Sequence, residues 1–367
     1  VQTTNVLPET DHGFYQRLVF TALRYLPFID AQIAAASTRS PDDIDPEVRA
    51  VLRVAIAEMA YLGTKDHAVV HEAVETVRTV GRANASGFVN AILRTIGKTL
   101  PSPKGSADEA YPASIIEIAG SAFGDAEAEE FMTASNSPAR VGLRFRSERP
   151  HNGARYAETD EDVNLLEQSG AVDIMDPASS MVVVALDPRP GDRAVDLAAA
   201  PGGKTRAIAD AVGPRGLVCA TDIHSRRLRD AAHRSRNIGH IRWLIADALR
   251  PPLRPGSFDR VLLDAPCTGL GTMRRRPEIR YRSTRDAPEQ YGFLQRELLE
   301  SALELVAPGG RVVYSVCTIS NQETRDVIDG LGFSRPENIE GQPWGDGLLM
   351  APHTTGTDGM FVAVRDA

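Results

Sequence analysis

Residues Ala194–Thr205 read AVDLAAAPGGKT. A short apolar run ends in a carboxylate, Asp196, and passes through three alanines into Pro-Gly-Gly-Lys-Thr. A strand that stops at small residues and hands over to a helix forms a ligand-binding turn. Gly202 and Gly203 let a ligand approach the backbone closely. The helix that follows offers unpaired N–H groups in its first turn.

Two kinds of ligand suit such a turn. A nucleoside triphosphate calls for G-x-x-x-x-G-K-[ST], but the first glycine of that pattern falls on Ala198, and the loop is too short to wrap a phosphate. A nucleoside cofactor without a pyrophosphate calls instead for an acidic residue after the next strand, to take the ribose hydroxyls. Leu217–Asp222, LVCATD, supplies Asp222 at that spacing. The balance favours S-adenosylmethionine over a triphosphate and disfavours a P-loop ATPase.

Downstream of this turn, strands and helices alternate. Strands are predicted at Ala194–Leu197, Leu217–Thr221, Ile241–Ala246, Arg260–Leu263 and Arg311–Ser315, and helices at Lys204–Val212, Ser225–Arg236, Pro288–Val306 and Gln322–Gly330. Leu348–Met350 and Met360–Val364 fit a closing hairpin at the sheet edge. The pattern is α/β, an open and mostly parallel Rossmann-like sheet with helices on both faces. Upstream, residues 14–98 read as an all-α bundle, with Asp45 placed to cap a helix that begins at Pro46. The predicted division is 1–100 helical, 101–112 a Pro/Ser/Gly-rich linker, 113–175 a small intermediate segment and 176–367 the sheet domain.

Ligands lie at the carboxyl ends of strands in such sheets. Those ends carry Asp196, Asp222, Asp247, Asp264-Ala-Pro-Cys267 and Tyr314-Ser-Val-Cys317. The chain holds three cysteines; Cys219 lies inside a strand and reads as structural, but Cys267 and Cys317 follow two strands expected to be neighbours. A thiol beside a methyl donor suits C5 of cytosine, a poor nucleophile that becomes enamine-like once a thiolate adds at C6. Asp264 is the candidate to serve N3 of the ring, and Cys267 the candidate to assist release of the C5 proton. Lys204 or the helix start near Asn321 would favour the thiolate.

Bulk properties set limits. In 367 residues, 42% are hydrophobic and 25% charged, with a net charge of −8, so any nucleic-acid binding must come from local basic clusters. Two stand out: Arg140, Arg144, Arg146 and Arg149; and Arg274, Arg275, Arg276, Arg280, Arg282 and Arg285. The denser cluster follows directly on the Cys267 motif, and its first five arginines are the expected RNA-phosphate contacts. His67 and His71 share a helix face without a third ligand, so no metal site is expected. Few cysteines, no apolar run of membrane-span length and no signal peptide point to a cytoplasmic protein away from membranes. A monomer is expected.

Four ordered stretches, DLAAAPGGKT, TDIHSRRL, LLDAPCTGLGTMRRRPEIRYR and VYSVCTISNQET, together resemble the RsmB/Fmu/Sun-type RNA cytosine-5 methyltransferases. HAVVHEAVETVR and GFVNAILR resemble the NusB-like domain that precedes the catalytic domain there, which implies an RNA-binding helical bundle. The resemblance implies a class I S-adenosylmethionine methyltransferase fold, acting on 16S rRNA or, alternatively, tRNA. It implies cofactor contacts from Ala198, Ala199, Ala200, Pro201, Gly202, Gly203, Lys204, Asp222, Asp247 and Asp264. It makes Cys317 the nucleophile and Cys267 the residue of product release, and it places a basic residue, Arg227, after the second strand. Three departures are visible. Ala198 stands where the family usually has cysteine; 150–175 is short for the family's RNA-binding subdomain; and the NusB-like segment starts at its second helix. A rival reading is an RNA-binding assembly factor with an idle methyltransferase half.

Overall fold

The computed structural model describes residues 9–101, 106–146, 153–158 and 162–367. Two compact units emerge: residues up to 117 joined by 276–282, and 118–275 joined by 283–367.

The first unit is helical, with helices Glu9–Arg24, Leu26–Ala36, Pro46–Ala57, Asp66–Thr79 and Ser86–Thr99. Asp45 caps the third through Glu47 N–H, with Pro46 in the first turn, as its sequence requires. Ile29, Ile33, Leu52, Ile56, Val77, Val89 and Leu93 are fully buried and knit the helices into one core. The helix Leu26–Ala36 falls within the stretch expected to be all helical, although the sequence does not delimit it as a separate helix. Its sequence, LPFIDAQIAAA, is apolar nearly all round, so it has no polar face for a period to reveal. Within the predicted 101–112 linker, Ala107–Ala110 forms a helical turn and Tyr111 is buried.

The second unit holds a small antiparallel sheet of β1 (Gly142–Phe145), β2 (Arg155–Tyr156) and β3 (Val172–Ile174), in the order β2-β1-β3. The main sheet follows in β4 (Arg193–Asp196), β5 (Leu217–Asp222), β6 (Ile241–Ile245), β7 (Phe258–Asp264), β8 (Val306–Val316), β9 (Gln342–Trp344), β10 (Gly347–Met350) and β11 (Met360–Asp366). Its order is β6-β5-β4-β7-β8-β11-β10-β9, with the first five strands parallel and the last three antiparallel. Apolar clusters cover both faces. The predicted hairpin exists as β10 and β11, but the short β9, which carries Pro343, is the true edge. The connections leave β4 toward β5 on one side while β7 flanks it on the other. That reversal opens a crevice at the strand ends.

The helix expected over Gln322–Gly330 is broken into a turn at Asn321–Glu323 and a short helix at Arg325–Ile328. Glu323 causes the break by turning inward, fully buried, to accept hydrogen bonds from the neighbouring turns.

Candidate active site at the strand ends

The loop after β4 is fixed from several sides. Asp222, at the end of β5, accepts from Ala200 N–H at 3.0 Å and from His224 N–H at 2.7 Å. Arg227 donates to Ala200 O at 3.0 Å, and Arg234 donates to Pro201 O at 2.9 Å. Gly202 adopts φ +97°, and a Cβ there would also meet Ala231 Cβ at 3.0 Å, so only glycine lets the loop lie against the helix Ser225–Arg234. The helix Gly203–Val212 starts at the loop's end and aims its first N–H groups into the crevice.

The small side chains of Ala198–Gly203 leave room for a nucleoside. Asp222 retains accepting capacity beyond its two backbone donors, since a carboxylate has about four lone-pair sites. Beside it, Ile223 and Ile245 are exposed, at 61% and 53%, and Asp222 pairs with Ile245 in the sheet register. Two apolar side chains flanking a carboxylate suit a planar base. Neither isoleucine stands out in the sequence, because an isoleucine at a strand end looks like core until its exposure is known. Asp247 is exposed and accepts from Leu249 N–H at 2.9 Å, which shapes the turn after β6.

Deeper in the crevice, Asp264 ends β7 opposite Ser315 of β8. It accepts from Lys204 Nζ at 2.7 Å and from Ser315 Oγ at 2.7 Å. Burial opposes the Lys204 charge, but Asp264 and then Cys317 outweigh it and raise its pKa. Asp196, one layer below, accepts from Thr205 Oγ at 2.7 Å, and burial pushes its carboxyl up to about 7.

Cys267 and Cys317 follow these two strands, and their sulfurs lie 3.4 Å apart. The thiol pair is asymmetric. The hydrogen bond from Cys267 lowers the Cys317 pKa, with Lys204 adding to that effect, although burial and Asp264 oppose it. The same bond, with burial, pushes Cys267 well above the ordinary thiol range. The arrangement therefore favours the thiolate at Cys317 over the thiolate at Cys267.

Glu323 is the functional side chain that sequence reading misses. Its carboxylate accepts from Thr268 N–H at 2.7 Å, Thr268 Oγ at 2.6 Å, Thr318 Oγ at 3.0 Å and Ser320 Oγ at 2.7 Å. Thr268 and Thr318 each follow one of the cysteines, so a single buried carboxylate clamps both thiol-bearing turns. The one available signal is an acidic residue in a turn rich in Ser and Thr, a pattern shared with many exposed loops.

The arginine clusters require a correction. Arg274 is buried and donates to the carbonyls of Gly356 and Thr357. Arg275 bridges Asp176 at 2.7 Å and Asp358 at 2.6 Å. Arg280 is fully buried in the helical unit, donating to Arg24 O and Ala110 O and lying 3.9 Å over the Tyr111 ring. All three are engaged by acceptors within the protein, Arg274 and Arg280 buried and Arg275 half-buried, which counts against their serving as phosphate contacts. Arg276 and Arg282 are exposed, Arg276 with Glu278 at 3.2 Å. In the other cluster, Arg144 pairs with Asp173 and Asp210, and Arg146 with Asp210, while Arg149 lies outside the described residues.

Comparison with known proteins agrees with this geometry. Residues 183–365 match the family described as 16S rRNA methyltransferase RsmB/F, and residues 1–98 match the NusB family. The ribosomal RNA small subunit methyltransferase B of Thermus thermophilus is 33% identical over 340 residues, covering 90% of this chain and 80% of that protein. This chain belongs to the RsmB/F methyltransferase family. Its fold is the S-adenosylmethionine-dependent methyltransferase sheet preceded by a NusB-like helical region, and its methyl donor is S-adenosylmethionine. The probable ribosomal RNA small subunit methyltransferase B of Bacillus subtilis is 29% identical, covering 98% of this chain and 91% of that protein. The crystal structure of PH0851 superposes with a TM-score of 0.82 at 26% identity, covering 98% of this chain and 91% of that one. Family membership makes the chain an RNA methyltransferase.

Proposed function

We propose that this enzyme methylates C5 of a cytosine in small-subunit rRNA through a covalent adduct between Cys317 and C6. The observation that carries the reading is the 3.4 Å thiol pair beside the Lys204–Asp264 ion pair, with the Cys317 pKa depressed and that of Cys267 elevated. S-adenosylmethionine, held by Ala198–Lys204, Asp222 and Asp247, with Arg227 bracing the loop, supplies an electrophilic methyl group.

The residues divide the work as follows. Cys317 Sγ adds to C6 as thiolate. Asp264 faces N3 and delivers a proton there, resupplied by Lys204 across their 2.7 Å contact, so the ring stays neutral as the S–C6 bond forms. C5 then carries the nucleophilic electron pair. After methylation, Cys267, its own proton first lost to solvent, takes the C5 proton. The C6–S bond then breaks with Cys317 leaving as thiolate, and the N3 proton returns through Asp264 to Lys204, which regenerates neutral 5-methylcytosine. The cytosine must be unpaired or flipped to reach the crevice, at a cost of a few kcal/mol that is smallest in loops. The NusB-like unit and segment 113–175 are the parts assigned to holding RNA.

The test is transfer of labelled methyl from S-adenosylmethionine to in vitro transcribed 16S rRNA and to tRNA, followed by bisulfite sequencing. One protected cytosine in 16S rRNA is the expected result. Protection only in tRNA would move the substrate class. No transfer to either RNA would leave an RNA-binding factor with an idle catalytic half.

A further inference from the structure

The helix Ser225–Arg234 and the turn that follows it, up to residue 240, hold five arginines against one aspartate, in a chain whose net charge is −8. Its two faces are differently used. Arg227, Ala231 and Arg234, at helical spacing, face the cofactor loop: Arg227 and Arg234 donate to its carbonyls, and Ala231 packs against Gly202. At 100° per residue, Arg226, Arg229 and His233 fall within about 60° of one another on the opposite side. All three are exposed, as is Arg236 just beyond the helix.

The contrast with the other arginine clusters is chemical. Arg274, Arg275, Arg280, Arg144 and Arg146 each have acceptors inside the protein. The side chains of Arg226, Arg229 and Arg236 make no hydrogen bond or ion pair among the described residues. Asp230 is the single carboxylate on this helix. Cations left unneutralised on an acidic protein, on a helix braced from behind, form a preorganised surface for a polyanion.

We propose that Arg226, Arg229 and Arg236 form a docking surface for the phosphate backbone of the RNA substrate, in place of the buried arginines after Cys267. The proposal rests on the RNA-methylation reading above. The helix begins three residues after Asp222, so a strand held here runs along the rim of the crevice that contains the cofactor loop and the thiols. Guanidinium–phosphate contacts carry no sequence information, so this surface sets register and affinity while the crevice selects the base.

The experiment measures binding of in vitro transcribed 16S rRNA to the full-length protein across a salt series. The wild type is compared with Arg226→Gln/Arg229→Gln/Arg236→Gln and with the Glu triple variant at the same positions. S-adenosylmethionine affinity is measured in parallel as a check on the fold. For every phosphate that an arginine no longer neutralises, the slope of log K against log salt should flatten by about 0.7–0.9, a total change of about 2–3 for the Gln variant. Asp230→Asn should shift affinity the other way. A wild type that binds RNA with the same slope as both variants would overturn the surface. A wild type that does not bind RNA at any salt would overturn the RNA reading itself, and this surface with it.

Discussion

The two thiol-bearing turns and the arginine run that begins seven residues after Cys267 both read as functional in sequence, and one of those turns adjoins the run. Their structures diverge. Cys267 and Cys317 meet in a crevice, each at the end of a strand, with their side chains only partly covered. Arg274, Arg275 and Arg280 turn inward to donate to carbonyls and carboxylates, with Arg280 also lying over an aromatic ring. The difference lies in what fixes each group. Strand order is a property of the whole sheet, so residues following neighbouring strands must converge. The direction of an arginine side chain depends on nearby acceptors, and those acceptors come from residues 24, 110, 176 and 356–358, far away in sequence.

The comparison breaks most visibly at the thiols. Cys317→Ala should lose at least roughly ten-thousandfold in methyl transfer, the scale seen when a nucleophile is deleted, while still binding cofactor. Cys267→Ala should still attack, with less of Cys317 present as thiolate, and stall as a protein–RNA adduct, seen as a slow band on a denaturing gel. The band should vanish in the double variant. A band that requires Cys267 and survives loss of Cys317 would reverse the assignment.

At the arginines the expected loss is of stability. Arg280→Ala removes a fully buried side chain and leaves two carbonyls and the Tyr111 face uncovered, at a cost of about 3–5 kcal/mol in denaturant unfolding. Were Arg280 a phosphate contact, unfolding would be unchanged and only RNA affinity would fall.

A smaller effect is expected at Asp222. Asp222→Ala removes both the loop's acceptor and the proposed ribose contact, weakening S-adenosylmethionine binding by about 1–3 kcal/mol, measured by calorimetry. Unchanged affinity would confine Asp222 to a role elsewhere.

The smallest effect is the most diagnostic of the thiol pair. Because Cys267 donates to Cys317 and lowers its pKa, alkylation of Cys317 should rise with pH through a midpoint below that of an ordinary thiol. In Cys267→Ala that hydrogen bond is gone, and the midpoint should move upward. Peptide mapping of the alkylated protein reads this directly. An unmoved midpoint would mean the sulfurs do not share a proton.

Much of the fold is legible in the sequence because period and spacing carry it. The alternation after Ala194 encodes the parallel sheet, and Asp45-Pro46 encodes a helix start. The apolar helix Leu26–Ala36 and the buried Tyr111 are illegible, since neither shows a pattern until a neighbour covers it. Within the site, the strand-end carboxylates and cysteines can be read from topology. Glu323 cannot, because its importance lies in inward rotation of one side chain against the helical pattern around it.

The segment 276–282 belongs to the helical unit although the chain on either side of it builds the other. During synthesis this has a temporal meaning. The first 117 residues leave the ribosome early, but the arginine that fills the space beside Tyr111 and Arg24 emerges only at residue 280. At about 5–20 residues per second, the nascent bundle waits on the order of ten seconds or longer for its last piece. A fragment ending near residue 117 would be a bundle with an unfilled socket.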